Sequence, residues 1–193
     1  MTKWLSHRMV ERGIIKEEEQ ELYQFGIRNG MILLLNVVTA LVIGLLTEQL
    51  AVVAVFTLSF MVLRGYTGGY HSDSRIFCYL GSNLVLLVPV YTQAVFYKTS
   101  LAWLLAVLLV SAGIIFLLSP MHSKNRKLDK EEQKHFGRKA RLIAALELAV
   151  LGILWHAGQI PYAYAVYTGI CITALFMLVG KAQLWIQSHT ENG

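Results

Sequence analysis

The sequence predicts an all-α integral membrane protein with about six transmembrane helices, an N-terminal interfacial helix and cytoplasmic loops. Three observations carry that expectation. Of the 193 residues, 55% are hydrophobic and only 15% charged, with a mean hydropathy of +0.52. A soluble domain carries about 25% charged residues, so a water-facing surface of this size is hard to build. The apolar residues gather into segments close to the length of a spanning helix, about 20 residues. The basic residues fall almost wholly in alternate connections.

The apolar segments are Met31–Leu46, Leu50–Leu63, Ile76–Tyr97, Leu101–Ser119, Leu142–Ala157 and Pro161–Gly180. The last four approach spanning length. The first two are short, and the second admits three readings: tilted, partly re-entrant, or extended through Tyr66. Before them, "IIKEEEQELYQF" is rich in helix formers and loosely amphipathic with an imperfect apolar stripe, which suits either a helix lying along the inner membrane surface or a solvated helix. Short turns, "TEQ", "KTS" and "GQ", follow the first, third and fifth segments. The other polar stretches are longer: the N-terminal segment, Arg64–Arg75 and Pro120–Arg141.

Every basic residue except Lys98 lies in those longer stretches or, as Lys181, after the last segment. The positive-inside rule therefore puts both termini and both long loops in the cytoplasm. Removing one span would scramble this partition, so the charge pattern supports the count. The expected organisation is one membrane-embedded domain over 1–193, with an N-terminal segment at 1–29, a six-span bundle at 30–181 and a functional loop at 64–78. "MTKWLSHRMVERGIIKEEEQ" has no apolar core flanked by a cleavage site, so insertion is expected to use the internal spans.

The two cysteines, Cys78 and Cys171, sit in different settings and do not read as a disulfide framework. Cys171 lies in an apolar run and reads as a small hydrophobe. His122 and His156 read as ordinary interface residues. Cys78 is different, because it follows the polar run "RGYTGGYHSDSR". Ser72, Asp73 or Ser74 can cap the next helix. Cys78 then falls in its first turns, where the helix N-terminus and the cations Arg64 and Arg75 favour a thiolate. His71 can supply the base or its imidazolium partner. On one continuous helix, residues seven apart are separated by about 10 Å along the axis. A proton transfer needs about 3 Å. The pair therefore requires His71 on a loop folded back toward Cys78. Gly65, Gly68 and Gly69 allow positive φ and close approach, either to present N–H groups as an oxyanion hole or simply to make the turn.

"LRGYTGGYHSDSRIFC" resembles the signature of the AgrB (accessory gene regulator B) family of bacterial membrane cysteine endopeptidases. Arg64, Gly68, Gly69, His71 and Cys78 match it in order and spacing. The size, the six spans and the loop "SPMHSKNRKLDKEE" extend the likeness over most of the chain. The resemblance implies that Cys78 is the nucleophile and His71 its general base and acid. Arg64 and Gly69 match positions needed for activity, and with Gly68 would shape the site. The implied substrate is a short AgrD-like precursor of a cyclic quorum-sensing peptide. Attack by Cys78 expels the C-terminal tail and leaves a thioester. An internal cysteine or serine then closes a thiolactone or lactone ring. The resemblance also implies the bacterial cell membrane as location and a homodimer as assembly. No cofactor, metal or nucleic-acid partner is expected.

Lys124, Arg126 and Lys127 follow Pro120 and admit two readings. They can satisfy the positive-inside rule and touch anionic lipid, or they can hold an acidic precursor tail. Glu147, a carboxylate inside the fifth segment, is a functional candidate by default, but it can equally pair with a basic residue or face a polar cavity. Asp73 or Ser72 could orient His71, and both are equally suited to capping. Two other functions compete. A small transporter or export scaffold could line a path with Asn36, Asn83 and Gln93, but leaves the His/Cys loop unexplained. A metal site from His71, Asp73 and Cys78 offers three ligands at a spacing unusual for zinc.

Overall fold

A computed structural model describes residues 2–68, 75–121 and 129–190; at 2, 29, 75–78, 130 and 187–190 the description covers the backbone alone. Among the described residues the chain is helical, with no strand. The helices are α1 (Thr2–Glu11), α2 (Gln20–Leu46), α3 (Leu50–Thr67), α4 (Arg75–Tyr91), α5 (Gln93–Lys98), α6 (Leu101–Leu118), α7 (Lys130–His156) and α8 (Ile160–Thr190). Four stretches among these are long and apolar enough to cross a membrane: Glu17–Leu46, Leu50–Thr67, Leu101–Leu118 and Ile160–Ile186. The remaining apolar segments fall in α4 and α5 and in the second half of α7.

Helix limits differ from the apolar segments for local reasons. α2 starts well before Met31, because a 3-10 turn at Glu17–Glu19 leads straight into helix-tolerant residues. The backbone N–H of Lys16 donates to the Glu19 carboxylate at 3.2 Å, fixing that turn. α3 continues past Leu63 to Thr67. The helix expected over Ile76–Tyr97 is broken at Thr92 into α4 and α5. Pro89, in the turn before the break, has no N–H to donate. Thr92 Oγ1 donates to Val88 O at 2.8 Å and lies 2.6 Å from the Tyr164 hydroxyl, so the bend is anchored to α8. α7 begins inside the basic loop. Its first turn carries Glu131 and Glu132, which complement the positive end of the helix dipole.

The contacts divide the chain into two units, Met1–Thr39 and Ala40–Gly193. In the first, Gln20 Nε2 donates to Ser6 Oγ at 3.5 Å, and the Arg8 guanidinium lies 4.9 Å from the Trp4 ring centre. In the second, α8 is the hub: it packs on α3, α6 and α7, and also meets α4 and α5. Of its membrane-length window 67% is buried, against 33% for α3 and 28% for α6, so α8 is central and they are peripheral. Small residues make this possible. Ala163, Ala165, Gly169 and Ala174 lie on α8, and such residues let helix backbones approach closely within a bilayer. One core cluster gathers Val53, Phe56, Leu86, Phe96 and Tyr164. A second gathers Leu63, Ile115, Ala144, Ile170 and Met177. The outward faces are apolar as well: Trp103, Leu109 and Leu117 of α6 are 69%, 71% and 83% exposed, which suits lipid and not water.

Candidate active site

The described part of the site is built on the last turn of α3. Gly68 N–H donates to Arg64 O at 3.3 Å, closing the helix, and Arg64 Nη1 donates back to Gly68 O at 3.0 Å. Arg64 therefore clamps the residue that ends its own helix. Gly68 has φ +71° and ψ −154°, a region that is essentially glycine-only. A Cβ there would also sit 2.6 Å from Met121 O. Both facts make glycine obligatory at this position. Gly65 behaves differently from the expectation that it, too, supplies positive φ. It lies inside α3, and a Cβ built on it meets nothing within 4 Å.

The same turn receives a second strand of chain. Met121 N–H donates to Thr67 O at 2.9 Å. Thr67 is fully buried, and its Oγ1 donates to Gly68 O at 3.3 Å. The segment Ser119–Met121, leaving α6, is thus hydrogen-bonded to the point where the Gly-rich motif leaves α3. From these adjacent points the motif continues into 69–74 and the basic loop into 122–128. Gly137 of α7 lets that helix come close to the same segment, because a Cβ on it would stand 3.0 Å from Pro120 Cδ.

Aromatic groups frame this joint. The Arg64 guanidinium lies 5.0 Å from the Phe176 ring centre, a cation–π contact with α8. Phe176 packs edge-on against Phe60 of α3 at 5.9 Å. Tyr66 meets Phe136 at 6.4 Å, and Lys139 Nζ lies 5.9 Å from the Tyr66 ring centre. Arg64 is thus held in orientation by Gly68 on one side and an aromatic face on the other.

The backbone of Cys78 lies in the first turn of α4, which packs against α3 and α8. His71, Gly69, Lys124, Arg126 and Lys127 lie outside the described residues, as do Ser72, Asp73 and the Cys78 side chain. The possible metal set of His71, Asp73 and Cys78 falls there too. Cys171 is half-buried in α8 and carries no disulfide. Of the polar residues considered for a transport path, Asn36 and Asn83 each have a buried Oδ1 with no hydrogen-bond partner among the described residues.

Residues that the sequence did not single out include Met121, Thr67, Phe176 and the Ser59–Gly169 contact beneath them. Ser59 Oγ donates to Glu147 Oε2 at 2.6 Å, so the intramembrane carboxylate has a hydroxyl partner and, among the described residues, no basic one. Ser59 could have been noticed as a hydroxyl in an apolar span.

Compared with known proteins, the chain matches the family model described as accessory gene regulator B over residues 1–178. The chain belongs to that family. Three relatives agree with the assignment. An AgrB-like protein of Clostridium perfringens strain SM101 is 23% identical over 148 residues, covering 74% of this chain and 69% of that protein. A second, from Clostridium perfringens strain 13, is 24% identical over 131 residues, covering 65% of this chain and 61% of that one. The accessory gene regulator protein B of Staphylococcus intermedius is 26% identical over 156 residues, covering 79% and 80%. No solved structure matches the chain. Family membership and the apolar helices together make it a membrane protein.

Proposed function

We propose that this family member is a membrane cysteine endopeptidase, a single membrane-embedded domain whose catalytic loop is 64–78. It removes the C-terminal tail of an AgrD-like quorum-sensing propeptide and promotes cyclisation of the remainder. The observation that supports this best is the joint at Gly68 and Met121. It starts the His/Cys motif and the basic loop from neighbouring points, so a nucleophile and a cluster of cations can address one peptide.

In this reading the Cys78 thiolate attacks the scissile carbonyl, and His71 takes the thiol proton. The C–N bond breaks as His71 returns that proton to the leaving amine, and the peptide remains as a thioester on Cys78. An internal cysteine or serine of the peptide attacks the thioester, closing the ring and freeing Cys78. With a cysteine the exchange is close to energy-neutral, so the energy of the thioester passes into the ring. Restricting water at a membrane-interface site favours that outcome over hydrolysis. Lys124, Arg126 and Lys127 would hold the acidic tail, and Arg64, Gly68 and Gly69 would shape the cleft. Both termini and the catalytic loop would face the cytoplasm, in keeping with the positive-inside distribution of the basic residues.

The test is co-expression of the chain with a candidate precursor, comparing wild type, His71→Ala and Cys78→Ala. Both variants should leave the precursor uncut while inserting normally. Undiminished cleavage in either removes its assigned role. Transport left unaffected by Cys78→Ala would favour the transporter reading. Inhibition by thiol alkylation but not by chelators separates the thiol mechanism from a metal site.

A further inference from the structure

A second polar feature lies beside this joint, on the face of α7 turned away from the aromatic frame. A cleft of about 400 Å³ opens between the end of α6 and the first turns of α7. Its walls are Ser119, Pro120, Gln133, Gly137 and the cations Lys134, Arg138 and Arg141. None of the three cations forms an ion pair among the described residues. Arg141 is held in place, because its Nε donates to Phe116 O at 3.2 Å. Ser119 is only 5% exposed, and its Oγ has no hydrogen-bond partner among the described residues. A buried hydroxyl without a partner carries a desolvation penalty unless something arrives to satisfy it. Three uncompensated cations beside that hydroxyl call for an anion.

The surface below the cleft says what carries the anion. Lys134 and Arg138 are four residues apart and share one face of α7. Further along α7, Leu142, Leu146, Val150 and Ile153 stand on the adjoining exposed flank, about 80–160° round the helix from Lys134. Those four are 61%, 56%, 45% and 68% exposed. The exposed side of α7 is therefore cationic in its first turns and apolar along the rest, with the apolar part wrapping round from the cations. A small anion or an acidic peptide would use only the upper part. A phospholipid uses both, with its phosphate among the cations and its acyl chains along the leucines.

We propose that this cleft is a binding site for the headgroup phosphate of an anionic phospholipid. Arg138 and Lys134 meet the phosphate oxygens, Ser119 donates a hydrogen bond, and Arg141 fixes the depth of the headgroup at the top of the apolar stripe. Basic pockets between membrane helices bind anionic headgroups in this manner. The site stands apart from the peptidase residues and does not depend on that reading. Its consequence for them is mechanical: a lipid here braces Ser119–Met121, the segment that holds the end of α3.

The test uses the full chain in an uncharged detergent, with dioctanoyl phosphatidylglycerol as probe and native mass spectrometry as readout. One lipid per chain should bind saturably, and dioctanoyl phosphatidylcholine, whose choline offsets the phosphate, should bind more weakly. The double variant Lys134→Gln/Arg138→Gln should lose affinity by about thirtyfold, the combined effect of two cations near a phosphate. Ser119→Ala should lose about three- to tenfold and serves if the double variant does not fold. Lys181→Gln, whose cation lies outside the cleft, should match wild type. Equal loss in Lys181→Gln, or undiminished binding in both cleft variants, overturns the proposal. So does displacement of the lipid by equimolar inorganic phosphate or an oligoglutamate peptide, which would assign the cleft to a free anion or an acidic chain.

Discussion

Ser59 Oγ donates a hydrogen bond to Glu147 Oε2 at 2.6 Å, tying the middle of α3 to α7 within the apolar part of the bundle. A carboxylate in such surroundings is expensive unless satisfied. Ser59→Ala removes the hydroxyl and leaves that acceptor unpaired. The expected cost is about 1–2 kcal/mol, between the typical bilayer hydrogen bond and the penalty for an orphaned group. Thermal unfolding in detergent should show a lower midpoint for Ser59→Ala than for Ser59→Thr, which keeps a hydroxyl. Equal midpoints for wild type and Ser59→Ala would remove the bond from the stability account.

The same serine limits what α8 can carry. A Cβ on Gly169 would lie 2.5 Å from Ser59 Oγ and 3.2 Å from Ser59 Cβ. Gly169→Ala should therefore destabilise by about 1–3 kcal/mol, the usual range for overpacking a tight contact. In a Ser59→Ala background the shorter contact is gone, and the penalty should shrink. A double-mutant cycle should give a coupling of at least about 0.5 kcal/mol. Strict additivity would mean that the helices relax apart and that the close approach is not required.

Gly68 and Gly65 sit three residues apart and should respond oppositely to alanine. At Gly68 the backbone conformation disfavours any side chain by about 1–3 kcal/mol. The obstructing atom is the Met121 carbonyl oxygen, which as backbone cannot swing aside. Gly68→Ala should cut precursor cleavage by about tenfold or more, one factor of ten per 1.36 kcal/mol of lost organisation. Gly65→Ala meets nothing and replaces a helical glycine, so it should retain cleavage and gain up to about 1 kcal/mol of helix stability. Matching rates for the two variants would show that the joint does not position the motif.

Much of this was legible in the residues. Hydropathy located the helical segments, and the basic residues separated the long connections from the short ones. The seven-residue spacing of His71 and Cys78 required His71 to lie off the helix bearing Cys78, and His71 falls outside the described residues. On either side of it, α3 ends at Thr67 and α4 starts at Arg75. What the sequence hid is contact between distant segments. Nothing local to Met121 announces that its N–H will bond Thr67, and nothing near Thr92 announces Tyr164. Hydropathy also misjudged α7, because a helix can run from a charged loop into an apolar span without any change in backbone. The break at Thr92 was equally silent, since Ile76–Tyr97 is apolar on both sides of it.

The basic loop offers a prediction on substrate capture. Lys124, Arg126 and Lys127 come three to six residues after Met121, whose backbone is fixed to the end of α3. Replacing all three with glutamate turns an attractive surface into a repulsive one. Precursor cleavage should fall at low substrate and recover in part as precursor is raised, with insertion unaffected. The defect should also weaken with added salt, since exposed charges are screened within about 10 Å at 0.1 M. Cleavage unchanged by the swap would return these residues to a purely topological or lipid-facing role.

Arg64 should not tolerate lysine. Its Nη1 donates to Gly68 O at 3.0 Å while the guanidinium plane lies 5.0 Å from the Phe176 ring centre. A guanidinium does both because it is flat and presents donors along its edge; an ammonium is a compact point charge and can satisfy only one. Arg64→Lys should therefore loosen the Gly68 turn and reduce cleavage by about tenfold or more, matching the 1.5–3 kcal/mol of a charge-assisted hydrogen bond. Phe176→Leu keeps the Gly68 bond and removes only the ring, so its loss should be smaller, about 0.5–1 kcal/mol in a transition-state measurement. If Arg64→Lys cleaves as well as wild type while Phe176→Leu does not, positive charge over the aromatic face is what matters, and the clamp on Gly68 is incidental.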